Sequence, residues 1–152
     1  MLFNVRICYN ASLSGDLGGV KLHNVQIETE LRVITPNEPG ILGRVLGTLA
    51  NSGVNLKALQ ARSVEDNGVF LLLTSDNKKA EQCLKALGYE VTTNEVVTVL
   101  MDDRVGAGAE IGALLGNAVI DIDYCYGSSA GMGKALLVFK TSDNGKALDT
   151  LR

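Results

Sequence analysis

The chain has 152 residues, 46% of them hydrophobic, enough to pack one ordinary domain or two small ones. A formal net charge of −3 with 20% charged residues gives no basic excess to attract nucleic acid or an acidic membrane surface. No apolar run reaches the roughly 18 residues needed to cross a bilayer, and Asn4, Arg6 and Asn10 interrupt the apolar part a signal peptide would need, so the expected location is the cytoplasm.

Residues 1–24 match no later stretch and receive no functional assignment. From Val25 the apolar residues alternate: Val25, Ile27, Leu31 and Val33, with Thr29 in step, share one face of a predicted strand. The turn "TPNEPG", residues 35–40, holds both prolines of the chain. Leu42, Val45, Leu46, Leu49 and Ala50 then follow helical spacing until Asn51-Ser52-Gly53 ends the helix. Strand "VNLKALQARS" meets strand "VFLLLT" through "EDNG", where Asn67-Gly68 is a tight-turn signal. A second helix is expected from Ser75-Asp76, with Ala80, Cys83, Leu84 and Leu87 inward and Gly88 as its stop, before the short strand "YEVTT".

The chain then repeats itself. Residues 31–59 lie over residues 97–125 at an offset of 66, which puts Gly40 on Gly106 and Asn51 on Asn117; "TSDNKKA" later lies over "TSDNGKA" at an offset of 67. Two copies of so long a period imply two similar domains in tandem. The order βαββαβ predicts the α+β, ferredoxin-like arrangement, with antiparallel sheets and helices on one face. The boundaries are residues 25–94 for the first domain and 95–152 for the second, which lacks its last strand. That leaves a bare sheet edge, which Leu2 to Tyr9 or a partner chain is expected to cover.

The turn has a chemistry of its own. A helix start leaves unpaired N–H groups and partial positive charge, Gly40 lets a ligand approach the backbone, and Pro36 and Pro39 hold the neighbouring φ angles. That suits a carboxylate. Asn37 and Asn55 each offer a donor and an acceptor for the two ends of a zwitterion, although Asn37 has a competing role as a plain helix cap. In the second copy Asp102 and Asp103 stand where a carboxylate would bind, so that site is either lost or tuned to a cation. With Asp121 and Asp123 they offer oxygens for a divalent ion, but a solvated acidic face is the favoured account and no metal is expected.

Other motifs carry less. Gly106, Gly108 and Gly112 imitate a dinucleotide fingerprint, yet Asp102 to Val105 separate them from the strand end, so no cofactor is expected. Gly108, Gly112 and Gly116, like Gly43 and Gly47, form a helix stripe expected to serve close packing within the domain pair or across a dimer. Cys8, Cys83 and Cys125 are odd in number without CxxC spacing, which predicts reduced thiols; Cys125 is expected in the core, with Tyr124 and Tyr126 on the other strand face. Asn10-Ala11-Ser12 matches a glycosylation acceptor and is read as chance. His23 is the sole histidine and lies outside both copies, so a histidine-dependent triad is excluded within one chain and no enzyme activity is expected.

Two βαββαβ units with "TPNEPGILGRVLGTLANSGVNL" in the first resemble tandem ACT domains, from about Val25 to the end of the chain. The resemblance implies a non-catalytic regulatory module that binds a free amino acid between paired domains, often at a homodimer interface, and signals to an enzyme elsewhere. Carried over by position, the effector residues are Asn37, Pro39, Gly40, Ile41 and Leu42 in the turn, with Asn55 reaching across; the weaker second-copy counterparts are Asp103, Gly106 and Asp121. The histidine that some amino-acid-binding members carry before the loop asparagine is Thr35 here, so a serine-type specificity is not implied. The first turn also resembles that of the acetolactate synthase regulatory subunit, which implies the alternative of a subunit that binds and controls a biosynthetic enzyme.

Overall fold

Alternating apolar residues and two helical runs per copy produce ten elements in the computed structural model, which describes residues 19–152. They are β1 (Leu22–Pro36), α1 (Ile41–Asn51), β2 (Leu56–Val64), β3 (Asn67–Thr74), α2 (Asn77–Ala86), β4 (Glu90–Asp102), α3 (Ala107–Asn117), β5 (Ile122–Gly131), β6 (Lys134–Thr141) and α4 (Asn144–Leu151). The fold is α+β, with ferredoxin-like units in tandem. The described residues group into two units, Glu28–Glu95 and residues 19–27 taken with Val96–Arg152. Leu2 to Tyr9, Cys8 and the Asn10 acceptor lie outside the described residues.

In the unit Glu28–Glu95, β3 lies between β2 and β1 and runs antiparallel to both, with Val33 opposite Phe70 and Ala61 opposite Phe70. Leu31, Val33, Phe70 and Leu72 pack against Ile41, Val45 and Leu49 of α1 and Ala80 and Leu84 of α2. β3 is buried on both faces, since Val69, Leu71 and Leu73 are covered as well, and so it reads as an unbroken apolar run. Asp76 caps α2 by accepting from the Lys79 N–H at 3.0 Å. Leu42 departs from the expected inward face of α1: Ile41, Val45 and Leu49 take that face and Leu42 is 47% exposed. Leu87 is exposed too, because α2 ends at Ala86.

The other unit repeats this plan. Val97, Val99, Met101, Ala135 and Phe139 form the strand side of a core completed by Ala107, Ile111 and Leu115 of α3 and Ala147 and Leu151 of α4. Asp143 repeats the cap of Asp76, accepting from the Lys146 N–H at 2.9 Å. β2 and β5 both carry a register irregularity two residues into the strand, at Leu56/Ala58 and Ile122/Tyr124. The place beside β4 that a fourth strand would take is filled by residues 22–27, the first part of β1. The Asp102 N–H donates to the Lys21 carbonyl at 3.1 Å, and Val25 joins the core with Leu22 and Val20 beside it. The cover for that edge therefore comes from just upstream of the first copy. Cys125 corrects its expected core position: it lies on β5, the outermost strand of this unit, and is exposed.

Candidate functional site

The turn after β1 is built by its own backbone. The Asn37 N–H donates to the Asp66 carbonyl at 3.1 Å, which ties the turn to the β2–β3 hairpin, and the Ile41 N–H donates to the Glu38 carbonyl at 3.2 Å. Gly40 takes a left-handed conformation with φ 87° and is itself the N-cap of α1, which has no side-chain cap. Asn37 therefore does not cap the helix. The next N–H groups of the first turn, those of Leu42 and Gly43, have no intrahelical acceptor by the geometry of an α-helix start.

Beside the turn lies an open hollow of about 250 Å³. Asn37, Ile41 and Leu42 of the turn and α1, Ala61, Arg62 and Ser63 near the end of β2, and Phe70, 2% exposed, line it. Gly68 also borders it; a methyl carbon there would sit 2.7 Å from Thr35 Oγ1, so the strand can hold no larger residue without a shift. Arg62 Nη1 donates to the neutral Gln60 Oε1 at 3.2 Å, and among the described residues no carboxylate pairs with it. Sequence reasoning missed Arg62, Ser63 and Phe70.

Of the expected site residues, the structure brings Asn37, Ile41 and Leu42 to this hollow and puts Pro39 and Gly40 in the turn beside them. Asn55 lies elsewhere. It precedes β2, where its N–H donates to Ser75 Oγ at 2.9 Å and its carbonyl accepts from the Ser75 N–H at 2.9 Å. Pro36 pairs with Asn67 and Leu56 with Thr74, so Asn37 and Asn55 sit at opposite ends of β3, roughly 23 Å apart at about 3.3 Å per residue.

The second unit copies the backbone and changes the charges. Gly106 has φ 87°, as Gly40 does; the Asp103 N–H donates to the Gly133 carbonyl at 2.8 Å; and Asp121 exchanges hydrogen bonds with Ser142 as Asn55 does with Ser75. Glu38 pairs with Arg44 at 2.6 Å in the first copy, whereas at the matching positions Arg104 pairs with Glu110 at 2.6 Å, the same strap with its polarity reversed. Glu110 also accepts from the Val20 N–H at 2.7 Å, and its carboxyl is held low first by Arg104 and then by that bond. Asp102 accepts from His23 at 2.6 Å and from Lys134 at 3.0 Å, and Lys134 and His23 touch as well. Hydrogen bonding by His23, then by Lys134, lowers the Asp102 pKa to about 2. Asp121 and Asp123 lie at the other end of β5, and among the described residues no group of three or more His, Cys, Asp or Glu side chains is placed to hold a metal ion. No described helix is long and apolar enough to cross a membrane.

A family model described as an ACT domain pair matches residues 26–151. Among solved structures, a protein from Bacteroides thetaiotaomicron is similar at 28% identity with a TM-score of 0.77, over 85% of this chain and 89% of that one. The ligand-free regulatory subunit of aspartate kinase from Thermus thermophilus is similar in fold, with a TM-score of 0.65 at 14% identity over 88% of this chain and 96% of that one. No curated protein matches the chain.

Proposed function

The chain belongs to the ACT domain pair family, a family of regulatory rather than catalytic domains, and on that premise we propose that it is a non-catalytic regulatory protein whose effector is a free amino acid. The observation that carries this reading is the first strand–helix turn, where a left-handed Gly40 and a start of α1 without a side-chain cap stand beside the hollow that Asn37, Ile41 and Leu42 line. Such a turn favours an anion without needing any rearrangement. Two ends of a zwitterion find partners there: backbone N–H groups for the carboxylate, and the Asn37 and Ser63 oxygens for the ammonium.

A homodimer in the cytoplasm belongs to the same reading. Asn55 lies far from the turn of its own unit, so it contributes to an effector only where a second copy brings it across. The resemblance in fold to a subunit named as the regulator of aspartate kinase supports a separate regulatory module that acts on an amino-acid biosynthetic enzyme.

The test is thermal unfolding with each of the twenty amino acids at millimolar concentration. A ligand at 100 times its Kd adds about 2.7 kcal/mol, several degrees for a chain of this size. A shift with one amino acid or a related set, abolished in Gly40→Val, is the expected result. No shift with any of them removes the effector reading.

A further inference from the structure

The one histidine of the chain stands in the strand segment that covers β4, and it meets a carboxylate and an ammonium there. We propose that His23, Asp102 and Lys134 form a proton-operated clasp: Lys134 bridges the neutral imidazole and the Asp102 carboxylate, and a proton taken up by His23 expels the lysine. His23 lies near the start of β1, Asp102 ends β4, and Lys134 opens β6 directly opposite Asp102. His23 Nε2 is 2.6 Å from Asp102 Oδ1, while Lys134 Nζ is 3.0 Å from the same oxygen and touches Nε2 as well. The three side chains are 23%, 39% and 35% exposed, so solvent weakens these contacts without abolishing them.

The count of protons makes this arrangement a switch. A ring nitrogen is a donor or an acceptor, never both at once. With its proton on Nδ1, the neutral ring offers the Nε2 lone pair to Lys134, whose three donors leave another for Asp102, and the charges of the cluster sum to zero. As imidazolium, the ring donates from Nε2 to Asp102 and turns a positive edge toward the ammonium. One carboxylate then stands between two cations. Repulsion of two unit charges about 4 Å apart in water amounts to about 5-fold in population. Histidine is the side chain that ordinarily changes charge between about pH 5 and 8. Asp102, lowered to about 2 by its bonds to His23 and then to Lys134, stays an anion throughout that range. Lys21 and Asp103 adjoin the cluster along the chain, and on the side of α3 Arg104 and Glu110 pair with each other at 2.6 Å.

The clasp sits between two backbone ties of the second turn. The Asp102 N–H donates to the Lys21 carbonyl, and the Asp103 N–H to the Gly133 carbonyl. Expelling Lys134 removes a side-chain tie between the β5–β6 hairpin and the segment entering β1, and it frees an ammonium next to that turn. The first unit is the internal control: Pro36 opposite Asn67 stands where Asp102 faces Lys134, and neither residue titrates. The device therefore belongs to the second unit alone and does not depend on what the first turn binds.

Nuclear magnetic resonance of the full chain from about pH 8 to about pH 5 tests this. The Lys134 side-chain signals and the Asp103 amide are expected to follow the same curve as the His23 ring protons. The Overhauser contact between the Lys134 ε protons and that ring should weaken about 5-fold on acidification, while the Asn67 amide of the first unit stays constant. In His23→Gln the Lys134 signals should be flat across the range. Lys134→Met supplies a second variant, in which the ring still titrates but the Asp103 amide no longer responds. Lys134 signals that stay constant while the ring titrates, a contact that strengthens in acid, or a response that survives in His23→Gln overturns the inference.

Discussion

Val119 follows α3 with φ 55°, in the left-handed region, at the position that Gly53 fills after α1 with φ 69°. The hydrogen bonds are the same in both copies. The Val119 N–H donates to the Gly116 carbonyl and the Ile120 N–H to the Leu115 carbonyl, at 2.9 and 3.0 Å; those of Gly53 and Val54 donate to Ala50 and Leu49, both at 2.9 Å. Closing a helix through one left-handed residue is work suited to glycine, and a β-branched side chain there sets Cβ against the backbone at about 1–2 kcal/mol. Glycine returns about 0.5–1 kcal/mol of this through the entropy of the unfolded chain. The valine side chain is 86% exposed, so its removal sacrifices little burial. Val119→Gly should therefore stabilise the protein by about 0.5–1 kcal/mol, which for this length raises Tm by roughly 1–4 °C. The mirror change, Gly53→Val, should lower Tm by roughly 1–4 °C, from about 1–2 kcal/mol of strain less about 0.5–1 kcal/mol that losing glycine gives back. A methyl carbon at Gly53 would meet only Lys79 Nζ at 3.8 Å, so no clash confuses the comparison. Calorimetric unfolding of the two variants reads both. Tm unchanged or lowered in Val119→Gly, or shifts of the same sign in both, would refute the reasoning.

Three further expectations come from charges and glycines. Asp102 has its pKa lowered to about 2, so the stability it contributes is fully present above its unfolded value near 3.8 and fades as pH falls toward about 2; Asp102→Asn should flatten that part of an acid-unfolding profile. Glu38→Arg or Arg44→Glu alone should lower the denaturant midpoint slightly, and the double exchange, which recreates the polarity of Arg104 and Glu110, should restore most of it. Gly112→Ala should raise Tm, because helix propensity improves by about 1 kcal/mol and a methyl carbon there meets nothing within 4 Å. A fall in Tm instead would place the Gly108, Gly112 and Gly116 stripe in a contact between copies.

The repeat was legible because two copies preserve the residues that punctuate structure: Gly40 and Gly106 have the same φ, and Asp76 and Asp143 make the same cap. Strand alternation found Leu31 and Val33 in the core for the same reason, since period two is imposed by the backbone. Leu42 escaped it because a helix face is wider than its buried seam, and an apolar residue at the rim obeys the spacing without being covered. Cys125 escaped it because a strand pattern carries no sign of whether the strand is an outer one. The sequence predicts the turn as a stiff loop suited to an anion, yet part of the lining of the hollow beside it, Arg62, Ser63 and Phe70, comes from a hairpin some 25 residues downstream. Their part depends on antiparallel register, which a single sequence does not announce. The same register sends Asn55 to the far end of β3.

The misplaced strand has a different cause, and it was visible as length. β1 has 15 residues and β4 has 13, against a usual strand of about 5–6. Alternation continues through such a strand without a break, so nothing in the pattern marks where one unit's use of it ends. Residues 22–27 belong with Val96–Arg152, and residues 28–36 with the unit Glu28–Glu95. A search for repeats aligns the copies from the first strand onward, and it reports the second as one strand short because the missing strand stands upstream of the first. The physical unit is therefore not the sequence repeat. A fragment beginning at Glu95 would keep the α3 and α4 core but lose Val25 from it, and would leave β4 groups such as the Asp102 N–H without the Lys21 carbonyl they now bond. An unpaired row of that kind on an apolar strand is what drives edge-to-edge association.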